Sequence, residues 1–274
     1  MSELIKKVDR AINLLWRIDT SEQPAEVCYS GGKDSDVILR LAQMAGIKYR
    51  AIYKNTTIDP PGTIKHCKEN GVEIINPDKS FLQLIEKKGV PSRWSRWCCS
   101  KLKEYKVLGK SIVGVRRDES RKRAALYKEP TLCRNYGKGQ HVEQFLPILD
   151  WTIDDVAEFI KAENITLAPH YYREDGSIDF ARRLGCIACP LMSQKKRVAE
   201  FKRYPKLLRQ IVKRADIYKQ NHQREGDQMA SGADVLYYQL FCNSVAEFAA
   251  KKNTLFGSID TRAELERIFN INLN

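Results

Sequence analysis

No run of about 18 apolar residues occurs in this 274-residue chain, so the sequence offers no transmembrane helix. Its first residues, MSELIKKVDRAINLLWRI, do not have the make-up of a secretory leader. Leu4, Ile5, Val8, Ile12, Leu15 and Ile18 fall at helical spacing among charges, which predicts an amphipathic helix. Internal repeats and low-complexity stretches are absent. Acids are in deficit, with 34 against 47 lysines and arginines, giving a net charge of +13 and a pI near 9.3. That surplus favours a polyanionic partner or an anionic substrate. Each single basic run (Lys101–Lys110, Arg116–Arg123, Lys195–Arg203) also reads as a solvated helix face. These features predict a cytoplasmic protein with no membrane attachment. Eight cysteines in such a reducing compartment argue for metal ligands or reactive thiols over a disulfide framework.

A Walker A loop is missing too. It needs G-x-x-x-x-G-K-[ST], whereas here Lys33 directly follows Gly31-Gly32 and no Ser or Thr comes after it. The turn that stands in this place is Ser30-Gly31-Gly32-Lys33-Asp34-Ser35, between an apolar stretch and a helix-like one. Two adjacent glycines allow positive φ and close approach, so that consecutive N–H groups can point at one anion. Ser30 and Ser35 add hydroxyl donors, and the following helix brings its positive end to the same point. The expected product is a phosphate cradle.

Strand-like and helix-like segments alternate along the chain. Strands are expected at 26–29, 48–54, 72–75, 111–115 and 145–149, and helices at 35–44, 63–70, 81–88 and 153–162, the last with Thr152 as N-cap and Asp155 three residues on. This alternation predicts an α/β fold, a doubly wound and mostly parallel sheet. Strand signals fade after about residue 191, and 204–220 and 233–251 read as helices. The expected organisation is an N-terminal helix (1–22), a nucleotide-binding domain (23–190) and a helical C-terminal subdomain (191–274).

Two further constellations carry chemistry. In Ser111-Ile-Val-Gly-Val-Arg-Arg-Asp-Glu-Ser-Arg-Lys-Arg123 a strand ends in cations, and Arg116, Arg117 and Arg123 are candidates for bidentate contacts to phosphate or sulfate. Asp118 and Glu119 are candidates to hold Mg²⁺ or to orient those arginines. Cys98-Cys99 and the C-x-x-C of Cys186 and Cys189 supply four thiols, which suit a [4Fe–4S] cluster ahead of a zinc site or uncoordinated thiols, because adjacent cysteines are unusual zinc ligands. Cys133 is an alternative ligand, and Cys28 and Cys67 read as buried structural residues.

In order, SGGKDS, RWCCSKLKE, GVRRDESRKRA, FLPILDWTIDDV and GCIACP resemble the phosphoadenosine phosphosulfate reductase family of PP-loop proteins over residues 25 to 195. The resemblance implies an adenine nucleotide α-hydrolase-like fold in which Ser30, Gly31, Gly32, Lys33, Asp34 and Ser35 hold phosphate and Arg116, Arg117 and Arg123 hold the anionic end. Paired cysteines with a C-x-x-C are similar to those of the iron–sulfur adenylyl-sulfate reductases. The nucleophilic Glu-Cys-Gly-x-His segment of sulfonucleotide reductases is missing, however. The sole cysteine after Cys189 is Cys242, in an apparent core position.

A second branch of the family fits better: the ATP pyrophosphatases of DNA phosphorothioation systems, of the Dnd and Ssp types. That resemblance implies an enzyme that splits ATP to AMP and pyrophosphate and adenylates a nucleic acid, DNA ahead of RNA, for sulfur incorporation. A cysteine desulfurase would be the sulfur donor. ATP, Mg²⁺ and a [4Fe–4S] cluster are the implied cofactors. Lys33, Asp34, Arg116, Arg117 and Asp118 are the expected catalytic residues, with Asp34 or Asp118 on Mg²⁺. Sulfite-producing reduction of adenylyl sulfate is the alternative, and a non-catalytic nucleotide-binding module the third reading. Whether the chain forms a homo-oligomer or takes a partner subunit stays open.

Overall fold

The structure, a computed structural model, describes residues 3–105, 107–136, 140–222, 226–254 and 257–273. Met1 and Ser2 of the expected N-terminal helix, Lys106 of the Lys101–Lys110 run and Asn274 lie outside them. In chain order the helices are α1 (Glu3–Trp16), α2 (Lys33–Ala45), α3 (Thr63–Glu69), α4 (Phe81–Lys88), α5 (Trp97–Leu102), α6 (Arg121–Leu126), α7 (Ile153–Ala162), α8 (Gln194–Arg203), α9 (Pro205–Asn221), α10 (Gly232–Phe241), α11 (Val245–Lys252) and α12 (Thr261–Phe269). The strands are β1 (Ala25–Tyr29), β2 (Tyr49–Lys54), β3 (Glu73–Ile75), β4 (Lys110–Ile112), β5 (Thr131–Tyr136), β6 (Gln140–Phe145), β7 (Asn253–Thr254) and β8 (Gly257–Ser258). The chain divides into two compact units.

The first unit holds residues 1–55, 59–76 and 103–185. Its six-stranded sheet runs β3-β2-β1-β4-β6-β5, every pair parallel except the edge pair β5–β6. This is the expected doubly wound, mostly parallel α/β fold. β1 is buried along its length because both faces are covered, and α1, α2 and α7 pack together over it. Strand order reverses between β1 and β4, so the connections leaving their carboxyl ends diverge and open a crevice there. The turn after β1 and the arginine-rich loop after β4 both start at that point. α7 begins as its sequence predicts, with a capping box between Thr152 and Asp155.

The second unit holds residues 56–58, 77–102 and 186–274, and it is helical apart from the two-residue strands β7 and β8. Phe201, Leu208, Val212, Leu236 and Phe248 form its buried core. Among the described residues no helix is long and apolar enough to cross a membrane.

Three element expectations are corrected. The last strand is not 145–149 but Gln140–Phe145, paired with the unforeseen β5. Pro147 has no N–H to give to a ladder, and Leu146, Ile148 and Leu149 are buried in a turn, which imitates strand patterning. The segment 233–251 is two helices, because Cys242 is extended (φ −127°, ψ 149°) and Ser244 caps a new helix by accepting the Glu247 N–H at 3.1 Å. The strand expected at 111–115 is shorter, ending at Ile112.

Candidate active site

At the carboxyl end of β1 the backbone makes the turn that two glycines permit. Gly31 is left-handed (φ +75°), and a Cβ there would lie 2.9 Å from the Thr63 Cγ2 of α3. Gly32 is extended (φ −91°, ψ 155°) and opens α2 as its N-cap. Its carbonyl accepts the Ser35 N–H at 2.8 Å, the Ser35 hydroxyl at 2.6 Å and the Asp36 N–H at 3.1 Å. The Ser30 hydroxyl faces that of Ser35 at 3.3 Å and accepts the Gly32 N–H at 3.4 Å. The glycine turn expected from the sequence thus stands at a helix N-terminus, where anions are favoured.

Lys33 is only 3% exposed. Its N–H donates to the Tyr171 hydroxyl at 3.1 Å, and its ammonium lies 3.4 Å from Asp34 Oδ2, 3.5 Å from the Arg182 carbonyl and 5.7 Å from the Tyr171 ring centroid. Arg116, also 3% exposed, comes from the loop after β4. Its Nε reaches Asp34 Oδ1 at 2.7 Å, and its Nη1 reaches Asp118 Oδ2 at 3.0 Å and the Trp151 carbonyl at 3.4 Å. Lys33, Asp34, Arg116 and Asp118 thus form one chain of alternating charge beside the turn. As Mg²⁺ ligands, Asp34 and Asp118 begin already paired with Arg116, so an ion here would rest mostly on phosphate oxygens and water, as Mg²⁺ usually does.

Arg117 and Arg123 are placed differently. Arg117 pairs with Asp150 and donates to the carbonyls of Tyr127, at 2.9 Å, and of Lys128. Arg123 pairs with Glu119, which Arg183 also holds at 3.0 Å. None of these contacts involves the Ser30–Ser35 turn.

Three residues of the site escaped the sequence reading. Gly114 is needed because a Cβ there would meet the Asp34 carbonyl oxygen at 2.9 Å, and that close passage lets Arg116 reach Asp34. Its signal was a glycine at a strand end. Asp36 is buried under the turn, accepting from the Tyr29 hydroxyl and lying 2.9 Å from His66 Nε2. Burial holds its carboxyl above the ordinary value, although His66 and Tyr29 oppose that. Its Oδ2 has no hydrogen-bond partner among the described residues. Tyr171, whose phenol burial pushes up to about 12, lies too far along the chain for any local pattern to reveal it.

All four expected cluster ligands lie in the second unit, whereas Cys133 is exposed on β5 of the first. Cys98 and Cys99 open α5, and Cys186 and Cys189 frame a tight turn in which Ala188 takes a left-handed conformation (φ +52°). Few non-glycine residues do so, at about 1–2 kcal/mol. The Ile187 N–H is tied to the Ile58 carbonyl at 2.8 Å, and the Cys186 thiol lies 3.5 Å from the Thr56 hydroxyl. The Cys98 thiol is pushed far up by its hydrogen bond with Cys99, then by burial, then by the charges of Cys99, Cys186 and Cys189. Four sulfurs therefore share one neighbourhood in which a negative charge on any opposes the others. Buried Arg197 is attracted to Cys189, although burial draws it down to about 10. Among the described residues no three His, Cys, Asp or Glu side chains stand in a metal-holding arrangement. The all-thiol donor set fits an iron–sulfur cluster by its chemistry, without a closed cage.

With this geometry in hand, comparison with known proteins gives the family. The phosphoadenosine phosphosulfate reductase domain matches residues 24–192, and the chain belongs to that family. An uncharacterized protein of Methanocaldococcus jannaschii is 32% identical over 199 residues, 67% of this chain and 46% of the relative. The chain spans less than half the length of the curated relatives it matches. Among solved structures it is similar to the phosphoadenylyl-sulfate reductase of Candida auris in its phosphate complex (TM-score 0.42, 16% identity, 65% of this chain and 95% of that one). It is likewise similar to the U34-tRNA thiolase NcsA of Methanococcus maripaludis with its [4Fe-4S] cluster (TM-score 0.41, 16% identity, 92% and 89%).

Proposed function

We propose that this protein is an ATP pyrophosphatase that adenylates a nucleic acid for sulfur incorporation, with DNA phosphorothioation as the specific reaction. The observation that carries the reading is the Gly31–Gly32 turn at the sheet's switch point, with buried Lys33 and Arg116 beside it. In this scheme the triphosphate sits on the turn, with Ser30, Ser35 and the α2 N-terminus on its oxygens. An acceptor oxygen attacks the α-phosphorus, the bond to the β-phosphate bridging oxygen breaks, and pyrophosphate leaves with the charge that Lys33 offsets. Catalysis then consists of placing fixed positive charge where negative charge develops. Arg116 holds Asp34 in position, and Asp34 in turn orients Lys33. In a second step the outer sulfur of a persulfide supplied by a cysteine desulfurase attacks the activated phosphorus, AMP leaves, and a thiol reductant cleaves the resulting disulfide to free the thiolated product. An iron–sulfur cluster held by Cys98, Cys99, Cys186 and Cys189 would supply a Lewis-acidic iron able to bind sulfide.

Against the reductase reading stands the thiol inventory. Cys242, the one cysteine after Cys189, is buried, and burial raises its thiol further, so it is not an attacking thiolate. The test is anaerobic incubation with ATP, with and without DNA or RNA, resolving AMP plus pyrophosphate from ADP plus phosphate. AMP and pyrophosphate, lost in Lys33→Ala with the fold intact, are expected. No ATP cleavage, with sulfite formed from adenylyl sulfate and a reductant, would overturn the proposal.

A further inference from the structure

Trp94 is 97% exposed, an unusual state for the side chain with the largest apolar surface. It is presented, not left dangling. The Ser92 hydroxyl accepts the N–H groups of Trp94 (3.2 Å) and Ser95 (3.0 Å), and the Ser92 N–H donates to the Ser95 carbonyl at 3.1 Å. The Arg93 guanidinium ties the turn to the Met192 carbonyl at 3.0 Å. Arg93, Trp94, Ser95 and Arg96 are exposed in succession, directly before Cys98 and Cys99 in the same unit.

The charge around this indole has one sign. Residues 87–102 contain five lysines and arginines and no acid, and residues 195–214 contain nine and one. Between them these two segments match the chain's whole surplus of +13, and both belong to the second unit. Arg96, Lys101, Lys195 and Lys196 have no acidic partner among the described residues. Intramolecular ion pairing therefore does not account for these cations.

We propose that this face binds a single-stranded nucleic acid, with a base stacked on Trp94 and the flanking phosphates on Arg93, Arg96 and the α8 lysines. An exposed indole on a hydrogen-bonded turn, flanked by cations, offers a π-face to any base and charge to the backbone on either side. A paired and stacked base cannot use that face, so the occupant is unpaired at this point. The proposal deepens the reading that the adenylated acceptor is a nucleic acid and rests on it. It places the strand on the surface that also carries the paired cysteines.

The experiment is fluorescence anisotropy with labelled 20-nucleotide single strands of DNA and RNA and the matching DNA duplex, without ATP, over a series of salt concentrations. Wild-type protein should bind the single strands with steep salt dependence and quench on binding. Trp94→Ala should weaken binding by about tenfold or more, and Trp94→Phe should recover most of it. Equal affinities for wild type and Trp94→Ala would overturn the platform and leave the nucleic-acid reading standing. No binding of any strand at low salt, or a preference for the duplex, would also overturn it. ATP cleavage by the wild type, assayed separately, decides the proposed function independently of all three outcomes.

Discussion

Replacing Gly31 by Ala tests whether the turn has the shape described and what maintains it. The added Cβ brings two separable costs. At φ +75° an L-residue is strained by about 1–2 kcal/mol. The Cβ would also lie 2.9 Å from Thr63 Cγ2 and 3.2 Å from Leu184 Cδ2, an overpacking of about 1–3 kcal/mol. The expected total, about 2–5 kcal/mol, lowers the melting temperature by roughly 5–15 °C for a chain of this size. Thr63→Ser separates the two costs. It deletes the clashing methyl group but keeps the hydroxyl that donates to the Pro60 carbonyl at 2.8 Å. Alone it should cost about 0.5–1.5 kcal/mol, as for loss of one buried methyl.

In the double variant the Thr63 part of the steric share is relieved while the Leu184 contact and the φ share stay, so it should be more stable than the two single costs added together by about 1 kcal/mol. Gly71→Ala is the matching control, because Gly71 is also left-handed (φ +65°) with nothing within 4 Å of the new Cβ, and it should show the φ cost alone. Urea unfolding followed by circular dichroism reads all four variants. Additivity of Gly31→Ala and Thr63→Ser within about 0.5 kcal/mol would refute the packing of the turn against α3.

Arg116→Ala leaves Asp34 facing an emptied, largely buried space, while half-exposed Asp118 is answered by water, and should cost about 2–4 kcal/mol in the same urea assay; a loss below about 1 kcal/mol would contradict its buried pairing with Asp34. Ala188→Gly relieves a left-handed strain and should be neutral to stabilising by about 1 kcal/mol, whereas Ala188→Val should destabilise, both read from melting curves. Under native alkylation at pH 8 followed by mass spectrometry, exposed Cys133 should label well before Cys28 and Cys67, whose thiols burial pushes up to about 12; equal rates would refute their burial. Burial raises the Asp234 carboxyl, but Lys252 at 2.8 Å, Thr261 and the Ser231 N–H outweigh it and hold it below the ordinary value of 3.8. Its stabilisation is therefore complete above about pH 4 and lost as pH falls through the lower folded value, so Asp234→Asn should flatten the acid slope of the urea midpoint.

The parts legible in the sequence were those that local chemistry determines. Gly31-Gly32 had to turn, Thr152 with Asp155 had to open a helix, and the β1 to β3 alternation had to make parallel strands. What local pattern could not supply was the partner of each group. Three arginines of one loop looked equivalent as phosphate ligands, yet Arg117 and Arg123 are held by Asp150 and Glu119, while Arg116 alone turns to Asp34. That choice depends on Gly114 letting one backbone pass against another, and on acids distant in the chain. Pro147 was the signal against a strand at 145–149, outweighed by the apolar run around it. The second unit is drawn from three separated segments, a discontinuity that no composition shift marks.

The placement of charge separates two tasks that a net +13 merges. In the first unit the cations nearest the glycine turn are neutralised by neighbours: Lys33 and Arg116 share Asp34, and Arg116 also takes Asp118. Such a set gives local, oriented positive charge for a leaving group without a strong field in solution. In the second unit the basic segments 87–102 and 195–214 have almost no acids to answer them. Their effect is long-ranged and falls within a Debye length of about 10 Å at 0.1 M salt. Raising the salt should therefore release a bound polyanion from the second unit well before it disturbs the buried Lys33–Asp34–Arg116 chain. Under those conditions ATP splitting without nucleic acid should persist while its stimulation by nucleic acid disappears.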